Sequence, residues 1–123
     1  MLRLPIVIGY RFPPEVTASI VTSLKVEFES TFGLATEAHK SPLYKEDGYW
    51  LGPVWAPVMY LIIDALNSLG YSSIAKDYAQ RFCNATLVGG MAENFDPFTG
   101  KGLVDPAFTW TSSVFLMLAK EYL

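Results

Sequence analysis

The chain of 123 residues is short and apolar: 51% of its residues are hydrophobic, 15% are aromatic and only 17% are charged. This composition excludes intrinsic disorder, which requires low hydrophobicity and high charge, and the length favours a single domain. The net charge of −3 and the lack of adjacent Lys or Arg residues argue against a nucleic-acid partner. Small soluble domains normally carry more charge, so the composition resembles the interior of something larger.

The sequence also disfavours membrane, metal and cofactor classes. The apolar stretch 53–63 is ended by Asp64 and is too short for a bilayer-spanning helix, which needs about 20 residues. His39 and Cys83 are each alone in the sequence, so we expect a buried thiol, no zinc site and no cofactor. The first residues lack a small-residue cleavage site, which predicts a mature cytoplasmic protein and not a secreted one.

Apolar spacing predicts four or five helices and no strand. The first helix begins at Pro13-Pro14-Glu15 and runs to about Phe28, the second covers about 54–69, the third about 73–87, and the fourth starts with Asp105 as its cap and Pro106. The second helix is apolar on nearly every side, which is typical of a buried helix, whereas the third is amphipathic. The predicted fold class is therefore all-α, one domain over 1–123 built from helical hairpins.

Two long loops, 34–53 and 89–105, place aromatic rings and carboxylates just before the second and fourth helices. Loops of this length are either functional or disordered. Aromatic rings pack on the C–H faces of sugars, and carboxylates accept hydrogen bonds from sugar hydroxyls, so the pattern suits a saccharide site. The same residues would equally suit the rim of an ordinary core.

Three motifs in these regions resemble the closing part of the (α/α)6-barrel glycoside hydrolases. They are YWLGPVWAPVMYLIIDALNSLGY at 49–71, GGMAENFDPFTGKGL at 89–103 and FTWTSSVFLMLAKEYL at 108–123, in the order and spacing of that family. The resemblance is to the group of processing α-glucosidases and mannosylglycerate hydrolases, with trehalases nearby, and it covers about residues 30–123. It implies that the chain corresponds to the last third of a six-hairpin toroid.

The resemblance also implies roles for individual residues. Glu93 falls on the general base of an inverting mechanism, which deprotonates the water that attacks the anomeric carbon. The residues that would line or fix the sugar site are Trp50, Gly52, Pro53, Trp55, Asn94, Phe95 and Trp110. Structural alternatives stay open, because Glu93 could cap a helix or lie in solvent and Trp55 could simply pack in the core.

The chain departs from the family pattern at two points. Leu51 stands where many relatives have arginine. The general acid of the family, an aspartate, lies upstream of these motifs in a part of the barrel that the chain does not contain, and inversion needs two carboxyl groups about 6.5–9.5 Å apart. Asp96 would form the turn of its loop with Pro97, and it is too close to Glu93 in sequence to serve as the general acid. Glu46 and Asp47 are candidates for the acid only because of their location in the other loop.

Three functions therefore stay open at the level of sequence: one piece of a hydrolase, a non-catalytic remnant that binds a sugar, or a self-associating helical scaffold. The predicted ligand is a small saccharide or glycoside. A helix that is apolar on all sides, in a chain too short to close a toroid, needs cover from a partner. This predicts a homo-oligomer formed through helices 54–69 and 106–121, or association with the missing portion of the barrel.

Overall fold

The computed structural model describes residues 4–123, so residues 1–3 of the predicted domain lie outside it. Four α-helices dominate the fold: α1 (Pro14–Ser23), α2 (Ala56–Ser68), α3 (Ser72–Gly89) and α4 (Thr109–Tyr122). A π-helical turn, Leu24–Phe28, extends α1, and 3-10 segments cover Leu4–Arg11 and Tyr49–Leu51. The all-α prediction is confirmed, and the first helix reaches Phe28 as its apolar spacing predicts.

Two short antiparallel hairpins accompany the helices. Strand β1 (Glu29–Ser30) pairs with β2 (Gly33–Leu34), and β3 (Asn94–Phe95) pairs with β4 (Gly102–Leu103). The prediction of no strand is wrong here, because two-residue strands are too short to show the alternation by which a strand is recognised. Strand β3 of the second hairpin directly follows the predicted site residue Glu93.

The helical hairpin of α2 and α3 forms the centre of the core, and α4 packs against both helices. The apolar side of α2 supplies Met59, Ile62, Ile63 and Leu66, all fully buried. They meet Tyr78 and Phe82 of α3 within one continuous cluster that extends from Ile6 to Leu118. Cys83 is 3% exposed, so the expected buried thiol is confirmed.

One face of α2 is open, contrary to the expectation of burial on every side. Leu61 is 46% exposed, and Asp64 and Ser68 are also accessible. Asp64 therefore needs no partner inside the protein. The apolar sequence of α2 supplies two packing surfaces, and the described residues cover only one of them.

Helix α4 begins at Thr109, later than the predicted Asp105–Pro106 start. The Asp105 carboxylate accepts the Ala107 N–H at 2.9 Å, which makes a local turn and not a helix cap. The Phe108 N–H donates to the Met91 carbonyl at 2.6 Å, and this pairing holds the chain extended up to the first residue of α4. Within residues 4–123 no helix is both long and apolar enough to cross a membrane.

Candidate functional site

Backbone pairing joins the two long loops directly. The Val54 N–H donates to the Phe95 carbonyl at 2.8 Å, and the Phe95 N–H donates back to the Val54 carbonyl at 3.0 Å. This reciprocal pair brings the segment before α2 against strand β3. Gly52 permits the close approach of the chain just before it, because a Cβ atom at this position would overlap the Lys45 carbonyl oxygen. The two loops are thus paired through their backbones at this point.

All three tryptophans of the chain lie in one cluster at this junction. Trp50 stacks on Trp55 with ring centroids 3.9 Å apart and planes 6° from parallel, and Trp110 meets Trp55 edge-on at 5.6 Å. Trp55 is fully buried, whereas Trp50 is 47% exposed. The cluster therefore presents an open indole face on a buried one, and such a face suits the C–H surface of a sugar.

Glu93 lies at the edge of this cluster and is only 7% exposed. Its Oε1 accepts a hydrogen bond from the Tyr49 hydroxyl at 3.0 Å. Its main-chain N–H donates to the Asp105 carbonyl at 2.7 Å, and its carbonyl accepts the Trp110 indole N–H at 3.4 Å. Glu93 is thus a nearly buried carboxylate that is held at its backbone and at one side-chain oxygen.

Tyr49 is the functional candidate that the sequence assignment missed. Its hydroxyl contacts a residue 44 positions away, so no local pattern links the pair. The hydrogen bond to Glu93 is the main cause that raises the pKa of Tyr49 above its usual value, followed by burial. The phenol is therefore a hydrogen-bond donor at neutral pH. The signal for Tyr49 in the sequence is its position in the YWLGP segment, directly before Trp50.

Backbone strain also marks this site. Tyr49 has a φ of +58° and Val104 a φ of +64°, and they are the only non-glycine residues with positive φ among residues 4–123. Left-handed backbone is unfavourable for bulky and β-branched residues, and it persists where the surroundings fix the chain. Tyr49 binds the Glu93 carboxylate, and Val104 precedes Asp105, whose carbonyl binds the Glu93 N–H. Both strained residues thus flank Glu93.

The other predicted site residues form the frame of the site. Gly52, Pro53, Asn94 and Phe95 are all buried. The amide nitrogen and oxygen of Asn94 have no hydrogen-bond partner among the described residues. Asp96 Oδ1 accepts the N–H groups of Phe98 and Thr99, both at 2.9 Å, so its predicted turn role is confirmed.

Glu46 and Asp47 lie elsewhere. They line a cavity of about 510 Å³ whose wall does not include Glu93; its other lining residues are Tyr44, Lys45, Asp96, Lys101 and Leu103. Burial, with a smaller contribution from Glu46 and Asp96, raises the pKa of Tyr44 to about 12. This cavity also excludes the three tryptophans of the cluster, so neither carboxylate shares a pocket with the aromatic platform.

Residues 4–111 match the family described as the mannosylglycerate hydrolase MGH1-like glycoside hydrolase domain. The chain belongs to this family. Mannosylglycerate hydrolase MGH1 of Selaginella moellendorffii is 28% identical over 85 residues, a match that covers 69% of this chain and 17% of that protein. The chain thus spans less than a fifth of the length of this curated relative.

Solved structures agree on the fold. The GH63 mannosylglycerate hydrolase from Thermus thermophilus in complex with Tris and D-glycerate superposes with a TM-score of 0.84 at 24% identity, covering 95% of this chain and 28% of that one. The same enzyme in complex with glucose gives a TM-score of 0.75 at 26% identity, covering 94% and 27%. The predicted resemblance to part of a helical toroid of this glycoside hydrolase group is confirmed.

Proposed function

We propose that the chain supplies the general-base half of an inverting glycoside hydrolase that acts on α-glucosides or related small glycosides. The observation that carries this proposal is the nearly buried Glu93 carboxylate, which Tyr49 holds at the edge of the tryptophan cluster. Membership of the glycoside hydrolase family supports the reaction class. The glucose and D-glycerate complexes of the structural neighbour support a small saccharide or glycoside as ligand.

In the proposed reaction Glu93 removes a proton from water while the water oxygen forms a bond to the anomeric carbon. The bond from that carbon to the leaving oxygen breaks, and a second carboxylic acid donates a proton to the departing group. Glu93 ends protonated and the acid ends ionised, so solvent exchange restores both groups. We propose that the second acid comes from a part of the toroid other than residues 4–123. The positions of the three candidate carboxylates support this, since Asp96 is engaged in its turn and Glu46 and Asp47 line another cavity.

The ligand contacts divide between exposed and buried residues. Trp50 offers the open ring, and Trp110, which is half-buried, borders Glu93. Trp55, Gly52, Pro53, Asn94 and Phe95 act from beneath, since they are buried and shape the surface that the sugar meets. For Trp55 the sequence left two roles open, packing in the core and lining the sugar site. We assign it both, because it is buried in the core and supports the exposed indole of Trp50.

A glycosyl fluoride tests the base independently of the missing acid. Fluoride leaves with little proton assistance, so α-glucosyl fluoride requires only the base half of the machinery. We expect the chain to release fluoride and the Glu93→Gln variant to be slower by about 100-fold or more. Glu15→Gln, an exposed carboxylate at the start of α1, is the matched control and keeps the rate. The first-formed sugar should be the β anomer by NMR.

The alternative function is non-catalytic saccharide binding. It is favoured by the positions of the other candidate carboxylates, because Asp96 is engaged in its turn and Glu46 and Asp47 line another cavity. Because all three tryptophans lie in the cluster, intrinsic fluorescence measures glucose binding at this site alone. Binding without fluoride release would select the binding function. A chain that shows neither glucose binding nor fluoride release would support the helical-scaffold function.

We also infer that the exposed surface between the first turns of α2 and of α4 is an interface. It forms an apolar groove of about 640 Å³, lined by Pro57, Tyr60, Leu61, Phe108, Thr109, Trp110, Ser113 and Val114. More than two thirds of the structural neighbour lies outside the match, so other toroid helices are the proposed cover in a longer assembly. The 123-residue chain alone is expected to cover the groove with a second copy.

Light scattering tests this interface at micromolar concentration. We expect a dimer or higher oligomer, and Leu61→Glu should shift the chain towards a monomer because it places a charge in the groove. Leu87→Glu is the control, since Leu87 is 78% exposed on α3 and does not line the groove. A monomeric parent chain would contradict self-association.

The cytoplasmic location that the sequence predicts stays a prediction.

A further inference from the structure

The Tyr49–Glu93 hydrogen bond connects the two loops through side chains at the point where the proposed base acts. Tyr49 Oη lies 3.0 Å from Glu93 Oε1, and no other side chain among residues 4–123 donates to this carboxylate. Glu93 is 7% exposed, so most of its hydration shell is absent. A nearly buried carboxylate with a single donor depends on that donor for its orientation, because χ rotation is otherwise limited only by packing.

The main chain of Tyr49 is fixed independently of this hydrogen bond. Its carbonyl accepts the Trp55 indole N–H at 2.9 Å, and its ring meets Trp55 edge-on with centroids 4.9 Å apart. The Lys45 N–H closes the surrounding turn by donating to the Leu51 carbonyl at 2.8 Å. These contacts hold Tyr49 in its strained left-handed conformation, which a free loop would relax. The hydroxyl is therefore presented from a rigid support.

Glu93 is fixed from the opposite side. Its N–H bond to the Asp105 carbonyl and the Val54–Phe95 pair place its backbone before the side chain makes any contact. The Tyr49 hydroxyl thus connects two backbone segments, each of which is held in place by its own hydrogen bonds. One oxygen of the carboxylate is occupied by this bond, and the other accepts no hydrogen bond from the described residues.

We propose that Tyr49 is a positioning residue for Glu93, holding Oε1 so that Oε2 faces the attacking water. This inference rests on the proposed role of Glu93 as general base. Tyr49 does not take the proton itself, since its phenol remains protonated as the donor to Glu93. Its contribution is to select one carboxylate orientation, which raises the fraction of molecules in which the base and the water are aligned.

A spectroscopic titration tests the contact without requiring activity. The absorbance of tyrosinate is followed in alkaline solution, and subtraction of Tyr49→Phe from the parent chain isolates Tyr49. In the Glu93→Gln background Tyr49 should ionise at lower pH, because the negative charge that favours the neutral phenol has been removed. Tyr10, which is 70% exposed, serves as the control through Tyr10→Phe and should not respond to Glu93→Gln. An unchanged Tyr49 titration would overturn the contact.

Fluoride release from α-glucosyl fluoride tests the positioning role. Tyr49→Phe removes only the hydroxyl, and we expect kcat to fall about tenfold while KM stays within about twofold. A raised KM with unchanged kcat would instead make Tyr49 a substrate contact and overturn the inference. If the parent chain releases no fluoride, the role of Glu93 as base fails and the positioning role fails with it. The tyrosinate titration still tests the Tyr49–Glu93 hydrogen bond in that case. Failure of the base role and failure of the hydrogen bond are therefore distinguishable.

Discussion

Trp50 lies flat on Trp55, and the two parallel indoles differ completely in their exposure. Their ring centroids are 3.9 Å apart, yet Trp50 is 47% exposed and Trp55 is fully buried. The buried indole also donates its N–H to the Tyr49 carbonyl at 2.9 Å, so it supports both the platform and the residue that contacts Glu93. The two tryptophans therefore have separable effects on binding and on stability.

Trp50→Ala should weaken glucose binding with a small effect on folding. Ring contacts of this kind contribute about 0.5–1.5 kcal/mol beyond the buried area, so the dissociation constant should rise about two- to tenfold. Calorimetry is the suitable measurement, because the variant lacks one of the fluorescent side chains of the cluster. Phe98→Ala is the control, since Phe98 is a 45% exposed ring of the second loop that packs on His39. Equal affinities of the parent and Trp50→Ala would contradict the platform.

Trp55→Ala should instead destabilise the fold. Removal of a large buried aromatic side chain costs about 3–5 kcal/mol of unfolding free energy. Urea denaturation measures the difference, and Trp50→Ala should lose no more than about 2 kcal/mol in the same experiment. Trp55→Phe keeps a ring but leaves the Tyr49 carbonyl without its indole donor, so its loss should lie between the other two. Similar losses for Trp50→Ala and Trp55→Ala would contradict the division of roles.

The sequence predicts a helix boundary of this fold where that boundary has a local chemical cause. Gly70 ends α2 with a φ of +87°, and the apolar spacing that follows is confirmed as α3. The start of α4 is not predictable in this way. It depends on the Phe108 N–H bond to the Met91 carbonyl, and these residues are distant in sequence.

The candidate site shows the same division. The motifs identify Glu93 and the tryptophans by resemblance, but they do not show that Trp55 is buried beneath Trp50. They also do not show that the Tyr49 hydroxyl reaches Glu93, because the hydrophobic and turn patterns of one loop carry no information about the other. Residue types follow from the sequence, whereas contacts between loops require the backbone pairing of Val54 and Phe95.

Gly52→Ala should displace the first loop. A Cβ atom here would overlap the Lys45 carbonyl oxygen, which is backbone and cannot move aside as a flexible side chain would. We expect a loss of about 1–3 kcal/mol in unfolding free energy, with a change in tryptophan fluorescence because the 49–51 turn carries Trp50. Leu51→Ala, the adjacent and 37% exposed position, is the control and should cost about 1 kcal/mol or less. Wild-type stability and fluorescence in Gly52→Ala would show that the close approach is not required.

The Cys83 thiol should lower the free energy of unfolding as the pH rises into the alkaline range. Burial raises the pKa of its thiol to about 11 in the folded chain, whereas a thiol in an unfolded chain has a pKa of about 8.5. Below pH of about 8.5 both states keep the proton, so the thiol gives no pH dependence. As the pH rises from there towards 11, the unfolded chain loses the proton while the folded chain keeps it, so the free energy of unfolding falls.

Urea denaturation of the parent chain and of Cys83→Ala across this pH window isolates the thiol, because the buried tyrosines titrate identically in both proteins. The parent should lose stability more steeply than the variant as the pH rises. Parallel profiles would mean that the thiol ionises as readily in the folded as in the unfolded chain, contrary to its 3% exposure. A thiol reagent gives an independent check, since a protonated buried thiol should react only as fast as the chain opens.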